Sequence, residues 1–317
     1  MSFFLHQGKV LKMFHAKIKS SKIKDLSEII ADLDLSYNHY YDPRFYPPSN
    51  TDKEIQLGYF IAMVAIDHRT SNLLGRFEGT IDGEIFHGAD LLYRLGMKKF
   101  EKNPEFFVAE KLANVREKDI LDLISWKGKL VWDYHVRTFL LRDIGTKTLE
   151  YFDGRFTKLL NVSTITQLID RLAHFRAYED PVQKKIFLLA KFLYGRGLVL
   201  FKDRENFEVA VDNHLSRIAI RIGIVELSDY SVIDKQIELT RDEDISIRMT
   251  IREAWKEVSK ESGYSPFILD DYLWKFGRSI CIWSSPKCEK CPFTRICLAH
   301  NKKHFWNEHR HILTWYY

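Results

Sequence analysis

The chain has 317 residues, 45% of them hydrophobic, and carries a formal net charge of +5. That length fills one large core or two smaller ones, and no apolar run is long enough for a membrane span. The small basic excess suits a nucleic-acid partner only where it is clustered. The opening apolar stretch, Met1 to Phe4 before His6, Lys9 and Lys12, is too short for a secretory core, so the expected compartment is cytoplasmic.

In chain order the pattern is mostly helical, with eight prolines and no Asn-Gly turn. Residues 1–25 are basic and suggest an arm or a short strand, and Ser27–Leu35 a helix. Tyr40-Tyr41-Asp42-Pro43 and Tyr46-Pro47-Pro48 break the pattern. A helix then starts at Thr51-Asp52 and runs to Ile66; it is apolar almost all round and so belongs in a core. Residues 67–90 are polar and glycine-containing, with Asp67-His68-Arg69-Thr70-Ser71 directly after the apolar helix. Further helices are expected over Leu91–Met97, Pro104–Val115, Asp119–Leu141, Ile165–Ala177 and Gln183–Tyr194, the last stopped by Gly195-Arg196-Gly197. Another opens at Asp212, and the tail from Lys302 to Tyr317 is basic and aromatic.

All four cysteines lie within seventeen positions: Cys281, Cys288, Cys291 and Cys297, spaced C-x6-C-x2-C-x5-C. Two disulfides fit poorly in a large chain with no other cysteine, because disulfides concentrate in small secreted domains. Structural zinc favours two close pairs far apart, and only Cys288 and Cys291 form such a pair. A [4Fe-4S] cluster has four iron corners, so ligands spread along one wrapping loop suit it.

The second informative stretch is Val211-Asp212-Asn213-His214-Leu215-Ser216-Arg217-Ile218-Ala219-Ile220-Arg221-Ile222-Gly223. Leu215, Ile218, Ala219 and Ile222 share one helical face, and Arg217 and Arg221 another. Asp212 stands at the helix start, where a carboxylate caps free amides and is favoured in its ionised form.

Two segments resemble the endonuclease III-like helix-hairpin-helix DNA glycosylases. One is Gly277-Arg278 before Cys281, with the cysteine spacing that follows; the other is Val211-Asp212 with His214 and its apolar helix, upstream of the cysteines as in that superfamily. The resemblance implies a [4Fe-4S] cluster on the four cysteines, phosphate contacts from Lys287 and Lys290 beside it, and Asp212 as catalytic carboxylate. It also implies a lysine at the start of the helix after a hairpin. Lys185 is the nearest match, with Lys184 and Lys191 as rivals. His68 or Arg69 would probe the space left by a flipped nucleotide. The chain departs from the superfamily at the hairpin: residues 174–185 lack its glycines, and Glu179 and Asp180 set negative charge where a phosphate would approach.

The expected architecture is all-α and two-lobed, with residues 51–204 as a helical barrel lobe and 1–50 plus 205–317 as a cluster lobe. The expected function is excision of a base from duplex DNA around a flipped nucleotide, with or without lyase chemistry. The alternatives are an N-glycosylase for free nucleosides, nucleotides or RNA, and a non-catalytic nucleic-acid-binding relative.

Overall fold

A computed structural model describes residues 15–70, 76–131, 133–311 and 314–317; residues 1–14, and with them most of the basic arm, lie outside the described residues. The protein is mostly helical. Its first half holds β1 (Ala16–Ile18), α1 (Ser20–Ala31), α2 (Lys53–Ala65), β2 (Glu78–Ile81), β3 (Glu84–His87), α3 (Ala89–Lys102), α4 (Ala109–Ala113), α5 (Glu117–Ile124), β4 (Ser125–Trp126), β5 (Lys129–Leu130) and α6 (Tyr134–Phe152). Then follow α7 (Phe156–Leu159), α8 (Ile165–Leu172), α9 (Lys184–Gly195), α10 (Asn213–Ile222), β6 (Val225–Leu227), α11 (Ser231–Asp234), β7 (Glu238–Leu239), α12 (Arg241–Ser262), α13 (Pro266–Ser279), α14 (Leu298–Asn301) and β8 (Arg310–His311). Among the described residues the strands pair two by two, β1 with β6, β2 with β3, β4 with β5 and β7 with β8.

Two hydrophobic clusters organise these elements. The larger gathers side chains from Tyr40 to Ala210, with Phe267 from α13. The other joins α1 to α10, α12, α13 and the cysteine loop, from Ile23 to Trp306. Helix α2 explains how the first is centred. Asp52 caps it by accepting from the amides of Glu54 and Ile55, and every residue from Gln56 to Ala65 is buried. Burying one such aliphatic side chain contributes roughly 1.5–3 kcal/mol, so α2 anchors that cluster. Helix α9 crosses it and is buried along almost its whole length, which matches its apolar sequence.

One expectation for the helices fails. Residues 119–141 do not form one helix: α5 ends at Ile124, and a β4–β5 hairpin turns through Lys127 and Gly128, both with positive φ (48° and 81°). Asp82 and Gly83 make the same kind of turn between β2 and β3 (φ 53° and 84°), the left-handed pair that two-residue hairpins demand.

Close approach of α4 and α6 depends on Gly145, where an added Cβ would lie 2.1 Å from the Ala113 nitrogen. Alanine normally favours a helix by about 1 kcal/mol over glycine. Here Gly145→Ala is expected to lower stability by about 1–3 kcal/mol through overpacking, read as a lower urea midpoint with an unchanged slope.

Candidate active site and cysteine loop

Helix α10 carries the candidate site. Asp212 is its N-cap, with extended backbone, and its Oδ1 accepts from the Leu215 amide at 3.0 Å. The cations with most influence on it are Lys184 and Arg217. Each is engaged elsewhere: Lys184 Nζ lies 3.9 Å from an Asp67 oxygen, and Arg217 pairs with Glu308. Asp212 is 9% exposed, and burial pushes its carboxyl above the ordinary aspartate range, against the pull of the capping amide. A carboxylate so placed is close to apolar surroundings, where it interacts strongly with any positive charge that forms nearby.

Beside it, burial and the Arg217 guanidinium lower the pKa of His214 to about 3, so its ring is neutral. Burial also holds His68 well below the ordinary histidine range, with Arg137 and Lys185 acting in the same sense. An unfolded histidine titrates near 6.5. Below that pH the unfolded chain takes up protons that these folded rings refuse, so stability falls as pH drops from about 6.5 towards 3. The urea midpoint is therefore expected to decrease between pH 7 and pH 5, and to decrease less in His214→Gln; equal slopes in the two proteins would contradict this.

The rest of α10 holds the cysteine loop. Arg217 donates to the carbonyls of Gly277 and Cys281, and Arg221 to those of Trp306, Ile282 and Trp283. Arg221 Nη1 also lies 3.6 Å from Cys281 Sγ, and Cys297 Sγ donates to the Arg221 carbonyl at 3.1 Å. Both arginines are almost wholly buried. Their i, i+4 spacing, visible in the sequence, puts them on the face turned to the loop.

All four cysteines are free and half-buried. Each of Cys288, Cys291 and Cys297 has its thiol pushed up, first by burial and also by the charge of Cys281, with Cys291 raised to about 11. Among the described residues, no three His, Cys, Asp or Glu side chains are gathered as they would be around a single metal ion. Four thiols in one loop are the donor set that a [4Fe-4S] core takes, and Cys281, Cys288, Cys291 and Cys297 would hold it. Lys287, Lys290 and Arg295 are exposed around this loop.

The three candidate lysines of α9 meet different fates. Lys191 is bound to Asp270 and Asp271. Lys184 bonds the Asp67 carbonyl at 3.1 Å and is the one that acts electrostatically on Asp212. Lys185 is fully buried, bonded to the Ala65 carbonyl and to His68 Nδ1. The His68 ring is itself enclosed, its Nε2 2.6 Å from Asp133. Of the two residues expected to probe the space left by a flipped nucleotide, Arg69 alone is exposed.

Asp133 and Arg137 complete this buried network. Arg137 donates to Asp133 at 2.7 Å and to the carbonyls of Ile66, His68 and Arg69. Sequence reasoning missed both residues; their i, i+4 spacing at a helix start was the only local signal.

The expected acidic obstruction at the hairpin is half corrected. Asp180 points inward: it accepts from the Val182 and Lys184 amides and forms a bidentate pair with Arg248 (2.7 and 2.9 Å). Glu179 pairs with Arg176 at 3.0 Å. No glycine supplies the turn before α9; Gln183 takes the left-handed conformation itself (φ 63°). The chain end packs beside this turn, where Trp315 donates to the Arg176 carbonyl, Tyr317 OH to Asp244 and the Arg69 amide to the Tyr317 carbonyl. Two surface hollows of about 420 and 390 Å³ lie elsewhere, against α1 and against the start of α2.

No protein-family model matches the chain. An "Endonuclease III homolog" of Encephalitozoon cuniculi is 29% identical over 89 residues. The match covers 28% of this chain and spans 29% of the length of that relative. The resemblance to the endonuclease III-like superfamily thus rests on the two motifs and on this match. Among solved structures, a trapped endonuclease III–DNA covalent intermediate aligns over 90% of this chain and 96% of its own, with a TM-score of 0.49 and 13% identity. A thermostable thymine-DNA glycosylase aligns over 89% and 98%, with a TM-score of 0.45 and 15% identity. Among the described residues no helix is long and apolar enough to cross a membrane.

Proposed function

We propose that the chain is a cytoplasmic N-glycosylase that excises a modified or mismatched base from DNA. The observation that carries this reading is Asp212: a buried carboxylate with raised pKa, fixed by one oxygen at the mouth of α10 while the same helix grips the cysteine loop. Breaking an N-glycosidic bond builds positive charge on the sugar, and a preorganised carboxylate stabilises it. The target nucleotide leaves the stack to reach the site. Arg69 would fill the gap it leaves, and Lys287 and Lys290 would meet backbone phosphates, whose neutralisation makes binding salt-dependent. A cluster on the four cysteines would supply a rigid cross-link of the loop and takes no part in the reaction. Lyase activity would come from Lys185 as the amine that attacks the sugar carbon.

The test is base release from a panel of damaged and mismatched duplexes, with the Asp212→Asn variant as control; release that survives the substitution removes Asp212 from its role. The purified protein should be brown and contain about four irons per chain. Cys291→Ser is expected to lose that colour and unfold at lower urea, and a colourless wild type with one zinc would overturn the cluster.

A second reading, an N-glycosylase for free nucleosides or nucleotides or for RNA, is favoured by the turn before α9. It has no glycine, and its neighbour Arg176 is bridged to the chain end by Trp315. Failure to retard duplex DNA at low salt, with base release from mononucleotides or RNA, would select it. Nucleic-acid binding with no release from any substrate would select a non-catalytic relative.

A further inference from the structure

Two enclosed lysines on one helix have opposite surroundings. Lys191 donates to two carboxylates, Asp270 and Asp271, which push its pKa above the ordinary lysine range against the cost of burial. Lys185, six residues earlier, has two neutral partners, the Ala65 carbonyl and His68 Nδ1 at 3.2 Å. A carboxylate only accepts, so the proton of the neutral imidazole sits on Nε2, 2.6 Å from Asp133 Oδ2, and Nδ1 is left to accept from Lys185. Asp133 is shared with Arg137, whose remaining donors are taken by backbone carbonyls.

A neutral amine has two N–H groups, and two acceptors are present; its lone pair is then left unshared. Burial pulls Lys185 in the same direction, well below the ordinary lysine range, with Lys184 and Arg137 assisting and Asp67 and Asp133 opposing.

We propose that His68, oriented by Asp133, is the proton acceptor for Lys185 when that amine forms an imine with an abasic sugar. The inference rests on the reading of Lys185 as the attacking amine. In the step, the Nζ lone pair forms a bond to C1′ of the open-chain aldehyde while the C1′=O π pair moves onto oxygen. His68 Nδ1 takes a proton from the nitrogen; burial and the Arg137 charge oppose the imidazolium, and Asp133 offsets them in part until the proton moves on. That proton, with a second from the nitrogen, goes to the oxygen, which departs as water and leaves the C=N bond. Nζ is enclosed, so the sugar must displace its bond to the Ala65 carbonyl.

The experiment is borohydride trapping on a duplex with one abasic site, using the full chain with its cluster. Lys185→Ala is expected to abolish the covalent complex. His68→Ala is expected to slow trapping by about 10²-fold or more, the usual contribution of a positioned base, and added imidazole to restore the rate in a concentration-dependent way. Asp133→Asn should slow it less. Equal thermal unfolding and iron absorbance in wild type and variants separate this from loss of the fold. Trapping in His68→Ala at the wild-type rate, or slow trapping that imidazole does not rescue, would overturn the role of His68 while leaving Lys185 in place. Absence of trapping in the wild type, or trapping that survives Lys185→Ala, would overturn the amine reading and the proton acceptor with it.

Discussion

Asp212→Asn is expected to lower single-turnover base release by about 10²–10³-fold, the loss typical when one preorganised charge-stabilising group is removed. Substrate binding should change little, because the carboxylate acts on charge that exists only as the bond breaks. Asparagine keeps an oxygen to cap α10, so the Leu215 bond and the helix start persist. Equal unfolding midpoints with collapsed turnover would therefore separate chemistry from folding. A variant that binds the duplex weakly and releases base at the normal rate once bound would place Asp212 in recognition instead.

The largest stability effect is expected at Arg248. Its guanidinium is fully buried, clamps both oxygens of Asp180, bonds Asp244 at 3.2 Å and lies 4.2 Å from the centre of the Tyr317 ring. Asp180 in turn fixes the first turn of α9 through the Val182 and Lys184 amides. Arg248→Leu leaves an inward carboxylate without its counter-charge, which costs about 3–5 kcal/mol. That is a large fraction of the 5–15 kcal/mol that domains typically possess. The double variant Arg248→Leu/Asp180→Asn should recover part of the loss, since the stranded charge is gone. A double variant no more stable than the single one would mean that geometry, not charge, dominates there.

Much of the frame was legible in the sequence. The all-apolar stretches became α2 and α9, and Asp52 and Asp212 became caps, because helix starts are governed by side chains within four residues. The broken helix at 119–141 was not legible as such: the apolar residues of α5 and α6 run on with a helical period, and only Lys127-Gly128 marks the turn. Asp82-Gly83 was a readable hairpin signal that an inspection for Asn-Gly alone passes over. Arg217 and Arg221 were seen as a pair, yet their target, the carbonyls of the cysteine loop, lies 60 or more residues away. The buried Lys185–His68–Asp133 chain spans separations of 117 and 65 residues. Nothing in local periodicity reports such a meeting. For the same reason the sequence alone sets Asp180 where a phosphate would approach, while its partner, Arg248, waits on α12.

The pairing of β1 with β6, and of Ser27 on α1 with the Val258 carbonyl on α12, has a consequence for biosynthesis. As the polypeptide leaves the ribosome, the stretch from α2 to α9 emerges with its own apolar partners and is free to condense. Helix α1 emerges before it but must wait more than 200 residues for its docking surface. The cysteine loop arrives later still, so a chain halted before Cys281 is expected to hold a protease-resistant stretch from α2 to α9 beside an α1 that is still cleaved.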